Sequence, residues 1–322
     1  MEKNSRIYIA GHSGLVGSAL MRALSEAGYT RLITIPHRKL DLRDQAATLA
    51  FFEAERPEYV FLAAATVGGI GANSASPASF IADNLAIALN VINSAWRVGV
   101  KKLLNLGSSC IYPRMAEQPI REEALLTGPL EPTNEAYAIA KIAAIKLCMA
   151  YNEQCGTDFL SVMPTNLYGI EDTFDPEAGH VIPALIAKFD DAKENWTGQV
   201  TLWGDGSPLR EFLWADDLAD AALFLMERYT AAEIGGWINV GSGEEISIAA
   251  LADLVSSMVF SHASAGAPPE IIWDTSRPNG TPRKLLDSSR IQALGWDASI
   301  PLAEGLRYVY KDYREKKANA GT

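Results

Sequence analysis

A chain of 322 residues, 48% of them hydrophobic, can bury one large core or two modest ones without disulfides. Its formal charge of −11 argues against a non-specific nucleic-acid partner, because such proteins concentrate lysine and arginine to neutralise phosphates. Three cysteines without paired spacing suggest free thiols in a reducing compartment, and the apolar run that ends at Ala10 is too short for a secretory segment or a membrane span. We therefore expect a cytoplasmic protein without a membrane partner, and we also expect no bound metal.

Short apolar runs alternate with helical patterns through the first half of the chain. The predicted elements are, in order, strand 7–10, helix 15–27, strand 32–35, helix 44–55, strand 59–62, helix 77–98, strand 102–106, helix 135–154 and strand 159–163. This alternation is typical of βαβ units around a parallel sheet. We therefore predict an α/β fold, with a Rossmann-like doubly wound parallel sheet in residues 1–170.

The regularity weakens after Tyr168, where loops rich in glycine, proline and aspartate interrupt the pattern. We predict that residues 171–213 and 243–322 form a smaller, mixed α/β lobe that binds substrate. Between these segments, a predicted helix at 216–229 and an apolar run at 237–240 are expected to return to the main sheet. The boundary between the two domains is then discontinuous in sequence.

A glycine-rich loop follows the first predicted strand. It reads Gly11-His12-Ser13-Gly14-Leu15-Val16-Gly17 and leads directly into a helix. Glycines here permit positive φ and let backbone N–H groups and the helix dipole approach a pyrophosphate, although a tight turn would also need glycine. Placed in a βαβ unit, the loop predicts a dinucleotide site.

The end of the second predicted strand carries basic residues in place of the acid that usually holds the ribose 2′-hydroxyl of NAD. Arg38 and Lys39 stand there, and they favour the 2′-phosphate of NADP(H). A solvated surface loop is the alternative. Asp41 is a candidate contact for the adenine edge.

Tyr137 and Lys141 lie four residues apart and so share one face of a predicted helix. An adjacent ammonium would lower the pKa of a phenol and suit it for acid–base catalysis. Alone, this pair is an ordinary surface pair of an amphipathic helix. Ser108, which follows the fourth strand where α/β folds bind ligands, changes that interpretation because it can bond a substrate carbonyl beside the tyrosine.

Several longer stretches identify a family. They are GSSCIYP at 107–113, EPTN at 131–134, YAIAK at 137–141, PTNLYG at 164–169, HVIP at 180–183 and GTPRKLLD at 280–287. With the glycine loop, they make the chain resemble the extended short-chain dehydrogenase/reductase family from end to end. Within it, the closer resemblance is to the epimerase/reductases of GDP-4-keto-6-deoxy-D-mannose.

This resemblance implies a role for each matching residue. Cys110 would be the base and His180 the acid of epimerisation at C3 and C5, although by position alone they would be a buried thiol and a structural histidine. Ser108, Tyr137 and Lys141 would then serve reduction at C4. Cofactor-binding residues beyond those already given would be Leu106, Gly107, Ser108, Ser109, Tyr137, Lys141, Pro164, Thr165, Asn166, Leu167 and His180.

The resemblance also implies the substrate contacts and the assembly. Lys188, Trp203, Arg210 and Asn279 would bind the GDP-sugar, with Arg210 on the diphosphate. Asn279 departs from the acidic residue that is common there, and Ser13 stands where some relatives have arginine. Helices 77–98 and 135–154 would pair with those of a second subunit, giving a homodimer through a four-helix bundle.

Four alternatives can be compared at the level of sequence. A 4,6-dehydratase would need an acidic pair where Ser109 and Cys110 stand, and a simple 4-epimerase has no use for a cysteine and histidine pair. An epimerase/reductase of a related GDP-4-keto sugar, such as a colitose or heptose precursor, would share both residues. A non-catalytic NADP(H)-binding regulator is the alternative from another class.

Overall fold

The computed structural model describes residues 1–176, 179–261, 266–277 and 279–320. Its strands are β1 Ile7–Ala10, β2 Leu32–Ile33, β3 Tyr59–Leu62, β4 Lys102–Leu106, β5 Phe159–Pro164, β6 Asn166–Tyr168, β7 Gln199–Trp203, β8 Leu209–Trp214, β9 Trp237–Val240, β10 Glu245–Ser247, β11 Glu270–Asp274 and β12 Arg283–Lys284. Its helices are α1 Leu15–Glu26, α2 Gln45–Glu55, α3 Ile70–Ala75, α4 Pro77–Val98, α5 Glu135–Cys155, α6 Val181–Glu194, α7 Ala215–Arg228, α8 Ile248–Val259, α9 Ser289–Ala293 and α10 Leu302–Ala320. Two 3₁₀ turns are Ser109–Ile111 and Glu122–Ala124.

Six strands form the main sheet in the order β2-β1-β3-β4-β5-β9, and every pair is parallel. Strands β1, β4 and β5 are buried along their whole length, as expected of a parallel sheet covered on both faces. This arrangement confirms the predicted Rossmann-like α/β fold. The carboxyl ends of β1, β3, β4 and β5 share one edge, where doubly wound folds bind ligands.

Helices cover both faces of this sheet because successive side chains of a strand point to opposite sides. Ile7 and Ile9 of β1 pack in one core with α1 and α7, whereas Tyr8 and Ala10 pack in a second core with α2, α4 and α5. Both cores are made almost entirely of aliphatic and aromatic side chains. The sheet edge that carries the site is therefore held by rigid layers on either side.

A second set of strands packs beyond the end of β5. Strand β8 lies between β10 and β12 and also pairs with β6, while β7 and β11 form a separate parallel pair. Helices α6, α8 and α10 pack with these strands around a third apolar core. In the parallel pair of β8 and β12, Lys284 lies opposite Arg210.

The predicted strands at 7–10, 59–62, 102–106 and 237–240 and the predicted helix at 77–98 have the bounds that the structure gives them. The second strand was predicted too long: β2 ends at Ile33 rather than residue 35. This strand lies at the edge of the sheet, and Pro36 after it has no N–H to continue a ladder. Strand β9 pairs with β5 in the main sheet, and the division of the chain into two domains stays a prediction.

In the part of the chain that the structure describes, no helix combines the length and the apolar character needed to cross a membrane.

Candidate active site

The glycine loop joins β1 to α1 with very little space around its backbone. Gly11 has φ +83°, and a Cβ there would lie 2.7 Å from the backbone nitrogen of Ala64. A Cβ on Gly17 would lie 1.9 Å from the carbonyl oxygen of Gly11, so the first turn of α1 rests directly on the loop. The structure therefore requires glycine at these two positions whether or not a ligand is present.

The N-terminus of α1 is open for an anion. Gly14 is the N-cap residue, and no side chain in the described part of the protein caps the first turn of the helix, which contains Leu15 and Val16. Ser13 is exposed, and the buried Nδ1 of His12 has no hydrogen-bond partner among the described residues. Free N–H groups at a helix N-terminus beside a glycine cradle fit a pyrophosphate.

The basic segment after β2 is exposed, as a contact for a bound phosphate must be. Arg38 and Lys39 lie in a turn with their side chains in solvent. Asp41 is held by Arg43, whose guanidinium donates to both carboxylate oxygens at 2.7–3.1 Å and lowers the pKa of Asp41 to about 2. The predicted adenine contact of Asp41 would therefore come from a carboxylate already engaged by arginine.

The turn after β4 gathers the next candidates. A Cβ on Gly107 would lie 2.3 Å from the sulfur of Met163, so this turn packs tightly on β5. Ser108 caps the short 3₁₀ turn, and its Oγ accepts a hydrogen bond from the backbone N–H of Cys110 at 3.3 Å. Cys110 is a free thiol with 6% of its surface exposed, and Ser109 beside it is buried.

The helix α5 places Tyr137 and Lys141 at this same edge. The Nζ of Lys141 donates to the carbonyl oxygen of Leu106 at 2.7 Å and lies 5.7 Å from the centroid of the Tyr137 ring. Burial lowers the pKa of Lys141 to about 8. Four of the five predicted catalytic residues, namely Ser108, Cys110, Tyr137 and Lys141, therefore lie together at the ends of β4 and α5.

The expectation that Lys141 lowers the pKa of Tyr137 is wrong for this structure. Burial raises the pKa of the phenol well above its usual value, and the neighbouring thiol of Cys110 raises it further. The ammonium of Lys141 is directed at the carbonyl of Leu106 and carries its own desolvation cost. A buried phenol with no ion pair stays protonated, which suits a proton donor rather than a base.

Burial also raises the pKa of the Cys110 thiol, but several neighbours oppose this rise. The largest opposing effect is the positive charge of Lys284, followed by a hydrogen bond with Ser108 and the charge of Lys141. Lys284 was not among the predicted site residues. Its placement depends on the pairing of β12 with β8, and the only signal in the sequence was its position inside the stretch at 280–287.

His180 makes no direct bond to the other four predicted catalytic residues. It is the N-cap residue of α6, its side chain makes no cap hydrogen bond, and 48% of that side chain is exposed. No hydrogen bond or ion pair joins it to Ser108, Cys110, Tyr137 or Lys141, all of which lie in the described part of the chain. Its Nδ1 instead lies 4.0 Å from a carboxylate oxygen of Asp172, another residue that the sequence analysis missed.

The predicted residues after β5 are partly engaged within the protein. The hydroxyl of Thr165 and the side-chain amide of Asn166 both donate to the carbonyl oxygen of Glu211, at 3.2 and 2.8 Å. Pro164 ends β5 and Leu167 lies in β6. These residues line the sheet edge next to β4, where the adjoining strand β9 also ends.

The predicted substrate residues lie on or beside the second set of strands. Burial lowers the pKa of Arg210, whose guanidinium donates to the carbonyl oxygens of Leu209 at 2.8 Å and Asn279 at 3.4 Å. The Oδ1 of Asn279 accepts from the backbone N–H of Asp205 at 3.0 Å, so it closes the loop after β7.

Trp203 ends β7, and Lys188 of α6 donates to the carbonyl oxygen of Thr201 at 3.4 Å. The guanidinium of Arg277 lies 4.8 Å from the centroid of the Trp203 ring. Arg210 and Asn279 therefore lie at the amino-terminal part of β8, whereas Trp203 and Lys188 lie at β7. Within the described residues, no three His, Cys, Asp or Glu side chains gather as metal ligands.

Comparison with known proteins places this arrangement in a family. The model of the NAD dependent epimerase/dehydratase family matches residues 7–241. GDP-L-fucose synthase 1 of Arabidopsis thaliana is 54% identical over 99% of this chain and 96% of its own length. A GDP-6-OMe-4-keto-L-xylo-heptose reductase from C. jejuni superimposes with a TM-score of 0.91 at 36% identity, covering 98% of this chain and 99% of that one.

A GDP-L-fucose synthetase from Naegleria fowleri, solved bound to NADP, is 30% identical and superimposes with a TM-score of 0.87. The match covers 99% of this chain and 96% of the Naegleria chain. The chain therefore belongs to the NAD dependent epimerase/dehydratase family of extended short-chain dehydrogenase/reductases, and within it to the group of the GDP-L-fucose synthases.

Proposed function

We propose that this chain converts GDP-4-keto-6-deoxy-D-mannose to GDP-L-fucose by epimerisation at C3 and C5 followed by NADPH-dependent reduction at C4. The observation that carries the proposal is the grouping of Ser108, Cys110, Tyr137 and Lys141 at one sheet edge, in a chain of the fucose synthase group. A tyrosine and lysine alone would serve any reductase of this fold. The buried thiol beside them supplies the base that an epimerisation needs.

NADP(H) fits the residues present. The cradle around Gly11, Gly14 and Gly17 would take the pyrophosphate, Arg38 and Lys39 would meet the 2′-phosphate, and Lys141 would hold the nicotinamide ribose. When bound, NADPH supplies the hydride for C4 of the sugar. Most of the remaining predicted cofactor contacts lie in or next to α1, at the end of β4 and after β5, whereas Asp41 lies after β2 and His180 is the N-cap residue of α6.

Epimerisation starts with removal of a proton from a carbon next to the keto group. Cys110 is proposed to break that C–H bond and take the proton on sulfur, leaving an enolate. Ser108 and Tyr137, as hydroxyl donors, stabilise the enolate oxygen. His180 then gives a proton to the opposite face of the same carbon, and solvent resets both side chains before the second centre reacts.

Reduction then uses the protonated phenol. Tyr137 is proposed to give its proton to the C4 oxygen as that oxygen gains negative charge. The raised pKa of Tyr137 keeps the phenol protonated for this step. Lys141, whose Nζ lies 5.7 Å from the centroid of the Tyr137 ring, is proposed to hold the nicotinamide ribose next to the phenol during this step.

The nucleotide end of the substrate carries a negatively charged diphosphate, so this acidic protein must bind it with a local group of basic side chains. Arg210 and Lys284 lie opposite each other on β8 and β12, and burial lowers the pKa of both. A bound diphosphate would offset the free-energy cost of desolvating both cations, so we propose that the diphosphate binds beside them. Trp203, Lys188 and Asn279 are proposed as further substrate contacts around the same strands.

We also propose a cytoplasmic homodimer. Helix α4 carries Leu85, Leu89 and Trp96 at spacings that share one helix face, and these side chains are 37%, 49% and 41% exposed. Ile139 of the neighbouring α5 is 41% exposed. A second copy of this helix pair would cover these side chains in a four-helix bundle. The substitution Leu89→Glu should shift the mass measured by light scattering from dimer to monomer.

The proposed reaction is tested by incubating the protein with GDP-4-keto-6-deoxy-D-mannose and NADPH in heavy water. NADPH oxidation with deuterium at C3 and C5 of a GDP-L-fucose product is expected. Oxidation without deuterium would reduce the activity to a 4-ketoreductase. No oxidation would redirect the search to colitose or heptose precursors, or to a regulator if NADPH still binds.

A further inference from the structure

We propose that Asp172 is a positioning residue for His180: its carboxylate holds Nδ1 of the imidazole and leaves Nε2 to deliver the proton during epimerisation. This inference rests on the proposed function, because His180 is the acid of that reaction. The starting observation is the 4.0 Å distance between Oδ1 of Asp172 and Nδ1 of His180. Sequence alone gives no reason to pair them, since both lie in a loop without regular structure.

The carboxylate of Asp172 is buried and incompletely bonded. Its side chain is 6% exposed, and Oδ1 accepts the backbone N–H of Thr173 at 2.8 Å. Oδ2 is buried and has no hydrogen-bond partner among residues 1–176, 179–261, 266–277 and 279–320. A buried carboxylate oxygen without a hydrogen-bond donor lowers the stability of the folded protein, and a nearby N–H group would remove this cost. The imidazole of His180 can supply one after a small rotation.

His180 is suited to this arrangement by its place in the chain. As the N-cap residue of α6 it has extended backbone geometry, φ −68° and ψ 162°, and its side chain does not bond the first turn of the helix. The ring is therefore free to take the orientation that a carboxylate sets. When a carboxylate accepts from one ring nitrogen, the other nitrogen becomes the one that exchanges protons with a substrate.

The segment around Asp172 is anchored from the far end of the chain. The backbone N–H of Glu171 donates to the carboxylate of Asp312 at 3.4 Å, and Lys316 lies 3.0 Å from Glu171 and 2.9 Å from Asp312. On the other side of Asp172, the ring centroids of Phe174 and Tyr313 are 4.7 Å apart. Helix α10 thus fixes the residues that flank the carboxylate, although it contributes no predicted catalytic residue.

The test compares the two half-reactions in Asp172→Asn. Epimerisation is followed by NMR as deuterium uptake at C3 and C5 of the inverted 4-keto sugar without NADPH, because inversion requires the acid whereas exchange with retention requires only the base. This uptake with inversion is the exchange that is compared between variants. The redox step is followed separately as NADPH formation from GDP-L-fucose and NADP⁺, which requires no epimerisation. We expect the deuterium uptake to fall by about 10-fold to 100-fold, less than the roughly 100-fold to 10,000-fold contribution of a general acid because His180 itself is retained, and the redox rate to stay within about twofold of wild type.

Three further variants decide how the result is interpreted. Asp172→Glu keeps the carboxylate and should recover part of the lost exchange, whereas Asp191→Asn, an equal change of charge at an exposed position on α6, should leave both rates unchanged. Lys316→Met, which loosens the anchor without touching the carboxylate, should slow exchange more than the redox step. It keeps the proposal testable if Asp172→Asn does not fold.

The outcome also separates this inference from the proposed function. If His180→Asn abolishes exchange while Asp172→Asn exchanges at the wild-type rate, the proposed role of Asp172 is overturned. The proposed role of His180 as the acid then still stands. Equal losses of exchange and of GDP-L-fucose oxidation in Asp172→Asn would likewise overturn it, because they indicate a structural role. If His180→Asn itself exchanges normally, the proposed acid is wrong, and the role of Asp172 falls with it.

Discussion

Replacing Gly17 with alanine tests whether the glycine loop is held by packing alone. The new Cβ would stand 1.9 Å from the carbonyl oxygen of Gly11 and 2.7 Å from the Cα of His12, whereas real Cβ contacts do not fall below 3.0 Å. Both neighbours are backbone atoms, so α1 must move away from the loop. Overpacking of this kind costs about 1–3 kcal/mol, and a shift of about 1 Å in a binding loop lowers kcat/KM by about 100-fold.

Gly14 provides the matched control within the same loop. Its backbone, at φ −86° and ψ 176°, suits any residue, and a Cβ there would lie at an ordinary 3.6 Å from the Gly11 oxygen. We expect Gly14→Ala to keep the melting temperature of the free protein but to weaken NADPH binding, since backbone at this position must approach the pyrophosphate. Gly17→Ala should lower both.

The measurements are thermal unfolding of the free protein and a fluorescence titration with NADPH. Each kcal/mol should appear as a fall of roughly 2–4 °C in Tm. If Gly17→Ala melts with wild-type protein and binds NADPH equally well, the contact between α1 and the loop does not constrain the site, and the reasoning is refuted.

Four other changes follow from the charges and burial at and around the site. Cys110→Ala should reduce deuterium exchange by at least about 100-fold while NADPH formation from GDP-L-fucose survives, and Cys155→Ala, a change at a half-exposed thiol, should affect neither rate. Lys284→Met removes the largest influence that lowers the Cys110 pKa, so the pH at which exchange becomes half-maximal should rise; an unchanged pH profile would show that Lys284 does not act on the thiol. The pKa of Lys141 is about 8 in the folded protein and about 10.5 in the unfolded chain, so the unfolded chain binds more protons between these two pH values. The free energy of unfolding of wild type, measured in urea, should therefore rise relative to that of Lys141→Met by up to about 3 kcal/mol from pH 8 to 10.5. Asp190→Asn, at a fully buried carboxylate that accepts from three side chains of α10, should lower the free energy of unfolding by about 1–3 kcal/mol, and an unchanged value would mean that these half-exposed ion pairs contribute nothing.

The main sheet was predictable because each of its strands carries its own signal. A strand buried on both faces is mainly apolar, as in Ile7–Ala10 and, except for Lys102 and Asn105, in Lys102–Leu106, so its length can be counted directly in the sequence. The length of the edge strand that follows Arg31 could not be counted in this way, because a strand with only one neighbouring strand does not need a continuous apolar run. The glycine loop was predictable for a similar reason: its conformation limits which residues can occupy it.

Lys284 and Asp172 could not be found in this way. Their surroundings depend on partners far along the chain, Arg210 across the strand pair for one and the helix α10 for the other. A lysine in a turn-rich segment and an aspartate in a loop are, by themselves, typical of exposed surface. The upward shift of the Tyr137 pKa was not predicted for the same reason, since this shift depends on burial rather than on the spacing between Tyr137 and Lys141.

These charges explain how one group of residues can serve two reactions with opposite needs. A phenol that stays protonated can donate a hydrogen bond to an enolate oxygen and later a proton to the oxygen at C4, and burial keeps Tyr137 in that form. The thiol of Cys110 must instead lose its proton, and the neighbours that lower its pKa include Lys284 on a separate strand as well as Lys141. The two groups also influence each other, because the charge of Cys110 is one of the two causes that raise the pKa of Tyr137 and so helps to keep the phenol protonated.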